Sequence, residues 1–331
     1  MHLSEYFKTK RLFDRAEAHS RNACRSSDTA NSDLLVNACA TYARVLLEVG
    51  KKDRAKAEIA HAARLLGDAA PTRATLAAHT YVAGVYNSLN MPELGFRHSR
   101  LTAEAGAGTA LERTAQYKIV LLNYCGSATH FLSAEESTKI CESTSEALDH
   151  PRFASLAAGL RINLAVSYFN AGRLKEAASA YESAKAGLED ARRFPPRTRA
   201  IVRANLGEVY EAMSKLPEAV AEYRDAFGRC DATWSTYYFA GTGLVRTLAR
   251  TGEIDEAKAL LSEMRAATPR TDTKARAQLQ EAMGVIAEEE GSAKRAASAY
   301  ARAVDLYDLA GATDEVARLC GEVEPSPKTC P

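Results

Sequence analysis

The chain has 331 residues, 46% of them hydrophobic and 26% charged, the ordinary composition of a folded globular protein. Forty-three basic against 42 acidic side chains leave a formal net charge of +1, so the balance asks for neither nucleic acid nor an anionic membrane as a partner. No apolar run reaches the roughly 18 to 20 residues of a membrane span. The opening MHLSEYFKTKRLFDRAEAHS is charged where an export signal needs an apolar centre, which makes the cytoplasm the default location.

In chain order, LFDRAEAHSRNA at 12–23 reads as the second helix of a hairpin, with a turn near Lys10 and too few residues before it for a full first helix. Residues 1–24 are therefore expected to be an N-terminal cap helix or a partial repeat. In the second case the chain is cut from something longer, such as a protein with a DNA-binding or effector domain. Residues 25–321 then repeat one pattern. A turn residue stands at Gly50, Asn90, Leu132, Gly172, Ser214, Gly252 and Gly291, at intervals of 40, 42, 40, 42, 38 and 39. Ala-rich second helices follow the turns, among them DRAKAEIAHAARLL, EESTKICESTSEAL, DEAKALLSEM and AKRAASAYARAVDLY. The clearest copies are RINLAVSYFNAGRLKEAASAYESAK at 161–185 and RANLGEVYEAMSKLPEAVAEYRDAF at 203–227. Between them Asn163, Tyr168, Gly172, Ala177, Tyr181 and Ala184 recur 42 residues on as Asn205, Tyr210, Ser214, Ala219, Tyr223 and Ala226. Residues 322–331, EVEPSPKTCP, form an irregular tail whose prolines cannot continue a helix.

Each unit is two amphipathic helices and a tight turn. Leu206, Val209 and Tyr210, then Ala219, Tyr223 and Ala226, follow the helical period rather than strand alternation. Small residues such as Gly207 and Ala219 let helix axes approach, and Tyr210 and Tyr223 fill the space between. Pro92, Pro151 and Pro217 fall where a helix begins or a loop runs, positions that lose no backbone hydrogen bond. One hairpin buries too little to fold alone, whereas stacked hairpins share a continuous core.

The pattern N-L-G-x-x-Y, turn, E-A-x-x-x-Y-x-x-A at 205–226, matched nearly as well at 163–184, resembles the tetratricopeptide repeat (TPR). The period near 40 to 42, against 34 in the common repeat, is similar to the long repeats of kinesin light chains, bacterial peptide-pheromone receptors and maltose-regulator-type transcription activators. The resemblance implies an all-α fold: a right-handed α-solenoid of stacked antiparallel helix pairs, about seven units plus terminal cap helices, with a concave groove lined by the first helices. In long-repeat relatives an Asn at this slot bonds the backbone of an extended peptide, and Asn123, Asn163 and Asn205 occupy it in three consecutive units. An Asn amide offers both donor and acceptor to a peptide group. The alternative is that these side chains brace neighbouring helices.

Helical spacing puts Phe169 and Asn170 on the same face as Asn163, Glu208 and Glu211 on that of Asn205, and His130 on that of Asn123. Arg246 and Arg250 take the matching slots one unit later, so the groove is expected to be mixed in charge, unless these are ordinary solvated surface groups. The Lys that a carboxylate clamp of the chaperone-binding type requires is not found. The aromatic run in WSTYYFAGTG at 234–243 is expected to pack against the preceding unit rather than to form a hot spot.

Seven cysteines, at 24, 39, 125, 141, 230, 320 and 330, show no metal-ligand spacing. They are expected to be small buried residues on helices, with a Cys320–Cys330 loop only in a secreted chain. The histidines form no ligand motif, and neither a phosphate loop nor a nucleophile elbow is present. No catalytic residue, metal or cofactor is expected. The reading is a non-enzymatic module that holds a peptide or protein segment in its groove, with no direct nucleic-acid or membrane contact. Two alternatives are a bacterial regulatory or signal-sensing protein that changes pitch on binding, and a scaffold subunit of a larger assembly. The Ala-rich, Arg-over-Lys composition fits a GC-rich bacterial genome.

Overall fold

A computed structural model describes residues 3–25, 32–67, 71–72, 75–148, 153–188, 196–232 and 234–322. The chain divides into two compact units, Met1–Ala171 and Gly172–Pro331. The N-terminal unit contains α1 (Leu3–Cys24), α2 (Ser32–Glu48), α3 (Lys52–Leu66), α4 (Leu76–Ser88), α5 (Pro92–Gly106), α6 (Ala115–Phe131), α7 (Ala134–Ala147) and α8 (Ala154–Asn170). The C-terminal unit contains α9 (Leu174–Leu188), α10 (Pro196–Ala212), α11 (Leu216–Gly228), α12 (Ser235–Arg250), α13 (Ile254–Ala267), α14 (Thr273–Glu289), α15 (Ala293–Leu309) and α16 (Thr313–Glu322). Apart from one short 3-10 turn at Ala110–Arg113, these are the regular elements among the described residues, and none is a strand. Within each unit, first helices pack on their own second helices and on the next first helix, as α4 does on α5 and α6, and α12 on α13 and α14.

Six of the seven expected turn residues adopt a left-handed backbone: Gly50, Asn90, Gly172, Ser214, Gly252 and Gly291, with φ between 57° and 88°. That conformation reverses the chain tightly after a helix and favours Gly or Asn. Leu132 does not share it; its φ is −98°, and α7 starts instead from a capping box. There the Ser133 hydroxyl accepts from the Glu136 N–H and the Glu136 carboxylate accepts from the Ser133 N–H, both at 3.3 Å. A further left-handed turn at Gly311, which the repeat count had not reached, leads into α16. The turn expected near Lys10 is absent, because α1 runs unbroken from Leu3 to Cys24. Pro92 opens α5 and Pro217 lies in the first turn of α11; Pro151 lies outside the described residues.

The repeated tyrosine organises the C-terminal core. Tyr223 is fully buried between α10 and α12, where a Cβ at Gly207 would lie 2.9 Å and one at Gly243 2.4 Å from its ring. Two glycines thus make the room that one aromatic fills.

In the N-terminal unit the cysteine expectation is half corrected. Cys24, Cys39, Cys125 and Cys141 are buried as expected, but they are not free: Cys24 bridges to Cys39, and Cys125 to Cys141. Each bridge ties two neighbouring helices, α1 to α2 and α6 to α7. Cys320 is disulfide-bonded as well, and Cys230 is a free, half-buried thiol. Cys330 lies outside the described residues.

The same unit buries a histidine pair, His79 on α4 and His98 on α5, whose Nδ1 atoms are 3.2 Å apart. One ring must donate and the other accept, so a second proton would set two N–H groups face to face. Burial lowers the His79 pKa below its ordinary 6.5. The unfolded chain therefore takes up the proton first, and the contribution is complete above about pH 6.5 and is lost as pH falls toward the lower folded value. Melting of the N-terminal unit is expected at lower temperature at about pH 5 than at about pH 7.5, and His79→Gln is expected to flatten that difference. Circular dichroism melts at the two pH values check it; equal pH dependence in wild type and variant would contradict it.

Candidate functional site

In the N-terminal unit Asn123 donates from Nδ2 to the Thr80 carbonyl of α4, and Asn163 to the Leu122 carbonyl of α6, each at 3.2 Å. Each amide therefore braces one first helix against the one before it. The Oδ1 atoms have no hydrogen-bond partner among the described residues, so the acceptor half of each amide is what remains for a ligand. Phe169 is half-buried, and Asn170 and His130 are exposed at the C-terminal ends of α8 and α6. None of these three hydrogen-bonds the asparagines. Asn87 escaped the sequence pattern because it stands off the repeat slot, which Tyr81 occupies in α4; its Nδ2 donates to Ser127 Oγ at 2.7 Å.

The C-terminal unit carries a more developed arrangement. A cavity of about 440 Å³ opens between the N-terminal halves of α10, α12 and α14, lined by Asn205, Ile201, Tyr238, Phe239, Lys274 and Gln278 among others. Asn205 donates to the Tyr181 hydroxyl at 3.1 Å, and its Oδ1 has no hydrogen-bond partner among the described residues. The aromatic run is divided as helical spacing requires. Tyr237 is buried with its ring centroid 4.7 Å from that of Phe227, whereas Phe239 reaches the cavity. Trp234, just before α12, is half-buried with the Arg197 guanidinium 5.9 Å from its ring centroid.

Further along α10 and α14 the face becomes a strip of alternating charge. Glu211 of α10 accepts from Arg246 Nη2 at 3.2 Å and Arg250 Nη1 at 2.8 Å, both on α12, and from the Tyr223 hydroxyl at 3.0 Å. Glu281 of α14 accepts from Arg318 of α16 and from the Tyr307 hydroxyl, each at 2.8 Å. The side chains of Glu211 and Glu281 are 10% exposed, so neither is a solvated surface charge. Burial pushes the Glu211 carboxyl up, but Arg246 and Arg250 outweigh it and hold it below the usual carboxylate range. For Arg246 burial acts to lower the pKa and Glu211 more than restores it, so the guanidinium stays charged. Helical counting placed Glu211, Arg246 and Arg250 as groove residues, and the structure pairs them with one another. The counting missed Glu281, which stands one residue before the counted slot at Ala282, and Arg318, which lies on α16 beyond the last counted turn.

Glu208 differs from its neighbours. It stands one turn from Asn205 on α10, half-buried, and accepts no hydrogen bond from the described residues. Burial raises its carboxyl above the ordinary value; Arg246 pulls the other way and Glu211 adds to the rise. A desolvated carboxylate without a donor is costly on its own and favours a cationic partner.

No described helix is long and apolar enough to cross a membrane. No protein-family model and no curated protein matches the sequence. Solved structures do. The apo form of the quorum sensor NprR from B. thuringiensis superimposes with a TM-score of 0.58 at 14% identity, over 95% of this chain and 92% of that one. NprR in complex with its cognate peptide NprX gives 0.56 at 16%, over 95% and 91%. A Rap protein complexed with Competence and Sporulation Factor gives 0.57 at 15%, over 87% and 76%. At such identities the likeness is one of fold, and it agrees with the repeated hairpins: the chain is an all-α solenoid of the TPR type.

Proposed function

We propose that the protein is a non-enzymatic binding module that holds an extended peptide or protein segment on the first-helix face of its C-terminal unit, with a basic side chain of the ligand against Glu208. The observation that supports this most is the combination of an open cavity beside Asn205 and an unpaired, half-buried carboxylate one helical turn away. Asn205 Oδ1 and the Gln278 amide supply acceptor and donor for a peptide backbone, and Tyr238 and Phe239 supply apolar contact. The structures of NprR with NprX and of Rap with its factor motivate the choice of a peptide. By itself the N-terminal unit offers a second candidate face, with Asn123 and Asn163 and, on the same helices, Phe169, Asn170 and His130.

Fluorescence anisotropy with labelled pools of short peptides that carry one Arg, one Glu or only Ala among random neighbours tests the charge preference. The Arg pool is expected to bind tightest, and Glu208→Gln to remove that preference by at least about tenfold without lowering the melting temperature. Equal binding of the three pools would contradict the role of Glu208.

A signal-sensing role is the second reading, favoured by the likeness to a quorum sensor solved both with and without its peptide. The location follows a different observation. Stable disulfides belong to oxidising compartments, so the bridges in the N-terminal unit favour such a compartment over the cytoplasm.

A further inference from the structure

The C-terminal unit holds a second cavity, of about 380 Å³, between the second helices α13 and α15 and over α14. It is separate from the cavity at Asn205. Helical spacing puts Gln278 and Glu281 on one side of α14 and Met283, Ile286 and Glu290 on the other. The floor is apolar, made by Leu261, Met283, Ile286 and Ala299. Its mouth is cationic: Lys258 and Arg265 come from α13, Arg295 and Arg302 from α15, and Glu290 is the one acidic side chain in the lining.

Those four cations are not equivalent. Lys258 and Arg295 both pair with Glu290, the latter at 2.6 Å. Arg265 and Arg302 are exposed and make no side-chain hydrogen bond or ion pair with the described residues. At one end of the cavity charge is satisfied, and at the other two guanidinium groups are available.

The repeat register shows that this opening differs from the packing one hairpin earlier. Counted from the repeated alanines Ala219 and Ala257, Phe227 in α11 holds the place of Arg265 in α13, and Val220 that of Lys258. In α11 both are packed: Phe227 lies against Tyr237, and Val220 is 8% exposed. One hairpin later the two apolar residues have become cations, and the space between the second helices stays open.

We propose that this cavity binds a small amphiphilic carboxylate, an acyl or aryl acid, with its apolar body on Leu261, Met283 and Ile286 and its carboxylate paired with Arg265 and Arg302. Guanidinium groups match a carboxylate in geometry as well as charge. The lining also argues for a ligand without amides. An extended peptide brings an N–H and a C=O with every residue, whereas the polar groups here, besides the ionic ones, are the hydroxyls of Ser262 and Ser298. The volume suits a ligand on the order of ten to fifteen heavy atoms.

Titration calorimetry with decanoate, kept below its micelle concentration, tests the assignment, with decylamine as the counterpart of opposite charge. Decanoate is expected to bind one site per chain, at least about tenfold more tightly than decylamine. Arg265→Ala combined with Arg302→Ala is expected to weaken decanoate about tenfold while leaving the melting temperature unchanged, since both side chains are exposed. Ser298→Trp is expected to fill the mouth and abolish binding; should it also lower the melting temperature, the arginine pair decides. No saturable site up to about 1 mM decanoate, equal binding of decylamine, or undiminished affinity in the double arginine variant would overturn the proposal.

Discussion

Reduction of the protein with excess dithiothreitol is expected to lower the stability of the N-terminal unit by about 3 kcal/mol for each of its two bridges. Cys24–Cys39 and Cys125–Cys141 close loops of sequence separation 15 and 16. In the chain-entropy view such a closure acts mainly by restricting the unfolded chain. The first bridge also fastens α1 to α2. Hydrogen exchange read by mass spectrometry separates the two units. Peptides from α1, α2, α6 and α7 are expected to lose protection on reduction, while those from α10 to α14 keep theirs. Alkylation before reduction is expected to modify Cys230 and to spare the four bridged residues of the N-terminal unit. Free thiols at those four positions in the untreated protein would contradict both bridges, and with them the case for an oxidising compartment.

Glu211→Ala is expected to destabilise the C-terminal unit by about 3–5 kcal/mol. The substitution leaves Arg246, whose side chain is 19% exposed, and the buried Tyr223 hydroxyl without the acceptor they share. Breaking a desolvated pair from one side strands the other charge, which costs more than the pair itself contributes. Replacing both sides, as Glu211→Leu with Arg246→Met, is therefore expected to recover most of the loss in urea unfolding. A single Glu211→Ala effect below about 1 kcal/mol would show that the strip is solvated surface charge. The pH dependence has the matching sign. The folded Glu211 carboxyl is held below its usual range, so its contribution is full above the unfolded value and is lost as pH falls through the folded one.

The fold was legible because the packing positions repeat. Tyr223 between Gly207 and Gly243, and the left-handed turns at Gly172, Ser214 and Gly252, are local requirements that a single sequence displays at a fixed period. The disulfides were not legible, because Cys24 and Cys39 meet across a hairpin, and a helical separation of 15 residues carries no motif. The one clue was the near equality of two spacings, 15 and 16. At the candidate site, helical counting put Asn205, Glu208 and Glu211 on one face, which the structure retains. It could not tell that Glu211 is consumed by Arg246 and Arg250 while Glu208 is left unpaired, since that depends on the stagger between α10 and α12. Nor could it show that the donor of Asn123 and Asn163 is spent on the preceding helix.

The most direct test of peptide binding at this face compares two variants that touch the same hydrogen bond from opposite ends. An Arg-bearing peptide of about ten residues, selected from a random display library on the wild-type protein, is titrated calorimetrically into Asn205→Ala and Tyr181→Phe. Tyr181→Phe removes the internal partner of the Asn205 amide but leaves that amide in the cavity. Affinity retained in Tyr181→Phe and reduced at least about tenfold in Asn205→Ala is the expected result. Equal affinity in Asn205→Ala and wild type would contradict the proposed binding face and leave Asn205 a brace between helices.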